Sequence, residues 1–522
     1  MIFTRKFASV CLILTCAASL TAKAQAQGAD DALRIFEANA YSGQFETGVA
    51  ELTALTRRTP RDGNAHFALG TMQAMRAVAR YQSGIAKHLP PVEMARGGRG
   101  FGLSLLGPLV PMLGQIKFGA LRPNQTAMTY ARLSELSGQF IADLETAEAS
   151  LARVGKRPAK LTIKPFQIAY DIDQNGRIDT NERLFNAILT MTSRRLRRGL
   201  RAAEDATVAF DTADASWLRS YLNLILAGAK FVHGLDSRKF YNATAHRAFG
   251  NKANRFGRRL AADAAFAPSD EDLDAKIDAL AAQQAKTRSP ADVRRELKDL
   301  RDQIAALPNT DAARAERRKL RARRVELMAN RRELSRDYNA IGRKRRALAR
   351  KRNGNEHQQI GSIMDLIAGV RLLTFDVTEP RLIDEARQHL IRVTELNRQT
   401  WALARAETDN DREWLPNAKQ TAPLFGSQPI SNDVVDAWIA TLDTVRGILV
   451  GDKLVRHPRF HRGVNLARFL KETRRIDVFL IGTGHALSPY LETGKPVVDA
   501  DTFQALTRPM GRDVLGYAVW FN

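Results

Sequence analysis

The chain of 522 residues carries 80 Lys and Arg against 56 Asp and Glu, a formal net charge of +24, with 44% hydrophobic and 26% charged residues. That length exceeds what one hydrophobic core usually serves, so two to four packed units are expected. Ala, Leu and Arg dominate and alternating β-branched runs are nearly absent, which excludes an extensive sheet and predicts a mostly α protein.

The first 26 residues have the pattern of a secretory signal peptide. Arg5 and Lys6 precede an apolar stretch from Phe7 to about Leu20, and the small-residue pattern Ala24-Gln25-Ala26 follows. Cleavage near Ala26 removes Arg5, Lys6 and Lys23, leaving 24 − 3 = +21. Both cysteines, Cys11 and Cys16, leave too, and Thr15 makes Cys16 a poor lipid-anchor site. The mature chain is then expected in the periplasm or outside the cell, without disulfides, thiol catalysis, thiolate metal sites or a transmembrane segment. Export also redirects the meaning of the basic charge. Nucleic acid is not the expected partner; an anionic envelope component or an acidic protein is, with solvated surface as the plain alternative.

Residues 27–88 read as a helical hairpin. Gly43 and Phe45 form a Gly-x-aromatic pair, Gly48 holds a small packing position, Leu52 and Leu55 fall at core positions, and Pro60 ends the helix before Leu69-Gly70. This stretch resembles a tetratricopeptide repeat, which implies antiparallel helix pairs. Only one and a half repeats are present, because Gln73 stands where the next aromatic belongs. A helical unit over 89–268 follows. Within it Gly97–Leu121 is apolar but broken by Pro108 and Pro111, expected as a loop covering the core or an exposed flap, and a helix is expected over 126–153.

The same unit contains DIDQNGRIDTNE, Asp171 to Glu182. Asp171, Asp173, Asn175, Gly176, Arg177, Ile178, Asp179 and Glu182 occupy positions 1, 3, 5, 6, 7, 8, 9 and 12 of a numbered loop. The stretch is similar to the EF-hand calcium loop at each of these positions. The resemblance implies side-chain oxygens from Asp171, Asp173 and Asn175, and a carbonyl from Arg177. It further implies a direct or water-mediated contact from Asp179 and a bidentate carboxylate from Glu182, all on Ca2+. Pro165 leaves room for a short entering helix at most, as in a dockerin-like loop. Neither DTADAS nor DNDREW has the glycine and spacing of a second loop, so Ile178 must bridge elsewhere or pack alone.

Residues 269–353 predict an antiparallel coiled-coil hairpin. Leu273, Ile277 and Leu280 step by four and three until Gln284 interrupts them. Ser289-Pro290 restarts the helix, and Val293, Leu297, Leu300, Ile304 and Leu307 resume the seam. Beyond the turn at Pro308, Leu320, Leu327, Leu334, Ile341 and Leu348 recur every seven residues. From Thr310 to Arg352 there are 17 Lys and Arg against 5 Asp and Glu, 17 − 5 = +12, with Arg343, Lys344, Arg345 and Arg346 the densest run. That run is the expected contact for an anionic partner.

The last segment, 354–522, is expected to be helical and then mixed, with strand-like runs in RRIDVFLIGTGHALSPYL and DVLGYAVWFN. His457 and His461 have the spacing of helical metal ligands, but Pro458 opposes a helix, and His485 with Ser488 lacks the sequence context of a nucleophile elbow. Trp414 is expected to anchor a turn. The reading as a whole is an exported, calcium-binding, non-enzymatic helical scaffold or binding protein. The alternative is an envelope hydrolase with its site around His457, His461 and His485.

Overall fold

A computed structural model describes residues 30–86, 88, 128–171, 178, 182–183, 206–242, 271–353, 371–410, 412–420 and 430–510. The signal-like segment, the broken apolar stretch 97–121 and the terminal run 513–522 lie outside these residues. The protein is mostly helical, with a few small sheets. It divides into two compact units, one formed by residues 1–254 and 372–522 and the other by 255–371. The N-terminal hairpin, the segment after it and the C-terminal segment, separate in the sequence reading, thus contribute to one unit.

In that unit α1 (residues 30–40), α2 (Phe45–Arg58) and α3 (Gly63–Ala86) lead into α4 (Tyr130–Ala152). The buried face of α2 is Phe45, Gly48, Val49, Leu52 and Leu55, the three-and-four spacing of a helix with one apolar side. Small residues set how closely these helices meet. A Cβ on Gly48 would stand 2.8 Å from Asn39 Cβ and 2.9 Å from Met72 Cε, and one on Gly70 would stand 2.5 Å from Leu151 Cγ. The start of α4 is set by Thr129, whose side chain accepts from Arg132 N. A two-stranded antiparallel ribbon follows, β1 (Lys160–Ile163) against β2 (Val208–Asp211), with Leu161 opposite Phe210 and Lys160 opposite Asp211. Asp211 then caps α5 (Thr212–His233), accepting from Ala213 N and Asp214 N, while Asp214 accepts in return from Asp211 N.

The second unit is the coiled-coil hairpin: α6 (Glu271–Lys286), α7 (Pro290–Ala306) and α8 (Asp311–Asn353). Both α6 and α7 pack on α8. The break between α6 and α7 is chemical: Pro290 has no N–H to give and Ser289 caps the new helix by accepting from Asp292 N. Gln284, the polar interruption of the seam, donates to the Tyr338 carbonyl across it (3.4 Å). The core is thin, with Val293, Leu300 and Leu327 buried and Leu297, Leu320 and Leu334 half-buried against them. Arg317 closes the tip by donating to the carbonyls of Leu307 (2.8 Å) and Pro308 (3.1 Å).

The first unit resumes with β3 (Thr374–Asp376), α9 (Pro380–Ala406) and α10 (Asn432–Val450). Helix α9 lies along α5, and polar ties stitch the pair to α4. Arg219 donates twice to one Glu148 oxygen (3.0 and 2.8 Å), and the buried Lys230 ammonium is held by Glu145 and by Glu385 (2.6 Å). A second core cluster gathers around Trp401 and Trp438, whose indole N–H donates to Asn397 (2.7 Å).

The strands β4 (Leu454–Val455) and β5 (Gly463–Val464) are followed by α11 (Leu466–Glu472), β6 (Arg475–Asp477) and α12 (Val478–Gly482). Then come β7 (Leu491–Glu492), β8 (Val497–Val498) and α13 (Ala500–Thr507). Strands β7, β5, β4 and β8 form one small sheet in that order, and β6 pairs with β3. The strand-like run DVFLIG is helical after its first residue, because Asp477 caps the turn by accepting from Leu480 N (2.8 Å). Among the described residues, no helix is long and apolar enough to cross a membrane.

Candidate functional site

The loop that resembles an EF-hand has its two ends described. Asp173, Asn175, Arg177 and Asp179 lie outside the described residues, while Asp171, Ile178 and Glu182 lie within them. Before the loop the chain makes a single 3-10 turn, Pro165–Gln167, and not an α-helix, because Pro165 fixes the first residue and Ile168 is already extended. Ala169 then forms an antiparallel bridge with Arg183, and Tyr170 N donates to Glu182 O (3.1 Å). Positions 1 and 12 are thereby brought to the same closed neck, and Glu182 is 8% exposed. Burial, opposed by a Ser83 hydrogen bond and reinforced by the charges of Glu182 and Asp171, pushes the Tyr170 phenol well above its ordinary range.

The neck is seated on the N-terminal helices. Tyr170 hydroxyl reaches Ala79 O (3.0 Å) and Gln82 Oε1 (2.8 Å), its ring packs against Phe45, and Ala169 N donates to Ala40 O (3.3 Å). Ile178, at position 8, finds its neighbour at the turn between α1 and α2: its Cδ1 is 3.3 Å from where a Cβ on Gly43 would stand. A second loop is not what it packs on.

The structure also assembles carboxylates that the sequence reading set aside. One oxygen from each of Asp211, Glu407 and Glu413 lies within 4.8 Å of the others. Asp211 is the cap of α5, Glu407 follows the last residue of α9, and Glu413 sits in the turn beyond it, bridged in parallel to Ala209. Arg412, at φ 71°, makes that turn and its carbonyl accepts from Ala209 N (3.2 Å). Asn417 donates to the carbonyls of Ala404 (2.9 Å) and Glu407 (3.3 Å), and Gln420 donates to Asp409 O (2.8 Å) and to Glu407 Oε2 (3.4 Å). Burial, followed by the hydrogen bond and charge of Asp211, drives the Glu407 carboxyl far above the carboxylate range. Asp214, 2% exposed, is driven up by burial and by Asp211. Phe210, Trp414, Trp217 and Tyr221 form an aromatic chain beside the cluster. Trp414 does sit in a turn, packed on both Phe210 and Trp217.

The histidines come together in part. His457 Nε2 lies 3.3 Å from Gly482 O, and His485 Nδ1 lies 2.9 Å from Thr483 Oγ1 and 3.4 Å from an Arg459 nitrogen. His457 and His461 lie in a turn around Pro458, not on a helix, so their spacing does not stack the rings on one face. Ser488 Oγ donates to the His485 main-chain carbonyl (3.1 Å), so its described bond is to the backbone and not to the imidazole.

On α8, Arg343, Lys344 and Arg346 are exposed and Arg345 is half-buried, and among the described residues none of the four pairs with a carboxylate. Elsewhere on the hairpin, Arg288 and Arg323 (3.8 Å) share Glu296, Arg314 pairs with Asp311 (2.9 Å), and Arg323 with Glu326 (3.1 Å). Among the described residues, these ion pairs all lie outside the run at 343–346. Comparison with family models, with curated proteins and with solved structures gives no match, so the functional reading rests on this geometry.

Proposed function

We propose that the chain is an exported, calcium-binding helical scaffold that docks on an anionic surface of the cell envelope through the basic run of its coiled-coil hairpin. The observation that carries this reading is the run Arg343, Lys344 and Arg346 on a 43-residue helix, exposed and, among the described residues, in no ion pair. At about 1.5 Å per residue that helix spans roughly 65 Å, far more than its thin seam needs for support. Like charge crowded into one turn raises the local potential and attracts a polyanion. The calcium part of the reading is supported by the neck of loop 171–182, where Ala169 bridges Arg183 and Tyr170 N donates to Glu182 O, so that the main chain closes beside positions 1 and 12.

The test is co-sedimentation of the mature chain with vesicles of anionic or zwitterionic lipid. Binding is expected to the anionic vesicles alone and to fall steeply between low and physiological salt, because exposed charges are screened within about 10 Å at 0.1 M. Reversal of Arg343, Lys344, Arg345 and Arg346 to Glu is expected to abolish it with helicity unchanged. Equal sedimentation of the reversed variant defeats the docking role.

A further inference from the structure

Residues 56–66 (TRRTPRDGNAH) and 152–157 (ARVGKR) together hold six Lys and Arg and a single acid, Asp62. Folding sets the two stretches around one cleft of about 390 Å³. Its lining includes Thr56 of α2, Pro60 beyond it, His66 of α3, and Arg153, Lys156 and Arg157 in the turn after α4. The three lining cations are exposed, as are Arg57, Arg58 and Arg61, which adjoin Thr56 and Pro60 in the chain. Among the described residues none of these six is in an ion pair, whereas Lys160, next along the chain, holds Asp409 (2.8 Å). Asp62 is 7% exposed, does not line the cleft, and accepts from Asn64 N (2.9 Å). Cations at helix C-termini offset the helix dipole, which accounts for Arg57, Arg58 and Arg153. Arg61, Lys156 and Arg157 lie past those ends, and Arg157 is tied by donating to the Arg153 carbonyl, which leaves its charge uncompensated.

His66 supplies a separate observation. It lines the cleft and is only 3% exposed. Its Nε2 lies 3.1 Å from the Pro60 carbonyl, which can only accept, so Nε2 carries the ring proton. Nδ1 is left with a lone pair and has no hydrogen-bond partner among the described residues. A buried polar atom in that state is costly, and such atoms ordinarily find a partner. Burial lowers the imidazole pKa and the charges of Arg153 and Arg157 lower it further, against the Pro60 bond and the Asp62 charge, so the ring is neutral at pH 7. The cleft thus offers three positive charges and one neutral acceptor.

We propose that Arg153, Lys156, Arg157 and His66 form a binding site for a phosphate group, free or as a monoester, between the ends of α2 and α4. Guanidinium forks match pairs of phosphate oxygens, and the ammonium adds a point charge. A phosphate group also has a second pKa near 6, so near neutrality it can share one proton with His66 Nδ1. Sulfate has the same shape and no proton to share. The site is independent of loop 171–182 and of the basic arm.

The experiment is calorimetric titration of the mature chain in chelator, which silences the calcium loop and keeps calcium phosphate from precipitating. Saturable binding of inorganic phosphate and of glycerol 3-phosphate is expected, with sulfate several-fold weaker. Arg153→Gln/Arg157→Gln should weaken phosphate binding at least tenfold, because charge-assisted hydrogen bonds are the strong ones. His66→Gln keeps a donor for the Pro60 carbonyl and loses Nδ1, so it should bring phosphate down to the level of sulfate. Should that variant fail to fold, the preference of the parent for phosphate over sulfate decides the part of the imidazole. Reversal of Arg343, Lys344, Arg345 and Arg346 to Glu is expected to leave the titration unchanged, which reads this site apart from envelope docking. Short-chain phosphatidic acid below its micelle concentration separates the sources: tighter binding than glycerol 3-phosphate identifies a lipid headgroup, and equal binding a soluble phosphate. No saturable phosphate heat, an affinity unchanged in Arg153→Gln/Arg157→Gln, or equal binding of phosphate and sulfate overturns the site and leaves a basic surface that takes any anion.

Discussion

Replacing Gly43 by Ala tests whether the N-terminal helices hold the loop that follows them. Gly43 has φ +72°, and a Cβ there would stand 3.2 Å from Ala169 O, 3.2 Å from Tyr170 Cα and 3.3 Å from Ile178 Cδ1. The left-handed backbone costs an ordinary residue about 1 kcal/mol or somewhat more. Two of the three neighbours are main chain at the neck of the loop and cannot swing aside, which adds about 1 kcal/mol of overpacking. The sum is about 2 kcal/mol, a fall in melting temperature of roughly 2–4 °C in a unit of this size. Gly155 and Gly494, at φ +60° and +81°, have nothing within 4 Å of their added Cβ, so Gly155→Ala and Gly494→Ala should show the backbone cost alone. Thermal unfolding with and without about 1 mM calcium, beside calorimetric titration, separates the parts. An unpaired extracellular-type loop with a dissociation constant of roughly 10⁻⁴ M gains about 1.4 kcal/mol at that concentration. Crowding at the neck should weaken binding several-fold in Gly43→Ala and leave the other two unchanged. If Gly43→Ala costs no more than Gly155→Ala, or binds calcium as the parent does, the helices do not support the loop.

Two further outcomes follow from buried groups. Burial first, and then the Lys230 charge, hold the His389 imidazole below its ordinary pKa, with Glu145, Glu385 and Glu148 opposing, and Asn223 Oδ1 lies 2.7 Å from its Nδ1. The unfolded chain therefore binds the proton more readily, so stability falls as the pH drops through about 6.5 toward the folded-state value and is restored above it. His389→Gln should reduce that slope in pH-dependent unfolding, leaving the part due to His66, which burial also lowers; an unchanged slope would contradict the assignment. In the hairpin, Leu327 is 4% exposed and its neighbour Met328 is 53% exposed. Leu327→Ala should cost about 2–3 kcal/mol in hairpin melting followed by circular dichroism, while Met328→Ala should cost almost nothing; equal melting of the two would mean the seam is not the core.

What the sequence conveys about this fold follows the range of the interactions. The hairpin is legible because heptad leucines and the Ser289-Pro290 cap act within a turn or two of themselves. Gly48 and Gly70 are legible for a related reason: a glycine at a repeat's packing position announces a close helix approach. DVFLIG misleads because four apolar residues have no period to distinguish strand from helix, and the capping aspartate decides it. The carboxylate cluster is the least legible feature. Asp211 and Glu407 stand 407 − 211 = 196 positions apart, and only the packing of α5 on α9 makes them neighbours. The available signal was two acid-dense stretches in a basic chain, each incomplete by itself and complementary to the other.

The base of the insertion has a consequence for how the chain reaches its fold. Leu235 bridges Val377 antiparallel, Asp236 N donates to Asp376 O (2.8 Å), and Gly234 O receives Thr378 N (3.0 Å) and Glu379 N (3.1 Å). One unit is thus closed by a clasp whose halves flank the 371 − 255 + 1 = 117 residues of the other. The clasp halves stand 376 − 236 = 140 positions apart, so synthesis at about 5–20 residues per second delays the second by roughly 7–28 s after the first. Through that interval the face of α5 that will meet α9 has no mate, including Ser220 and Asn223, which later contact Val393 and His389. The hairpin, whose three helices pack on one another within one continuous stretch of chain, can be complete before then. The part of the molecule made first is the part that must wait, so a holding chaperone would find its target in the α5 face, and shortening the insertion should hasten the closing of the larger unit.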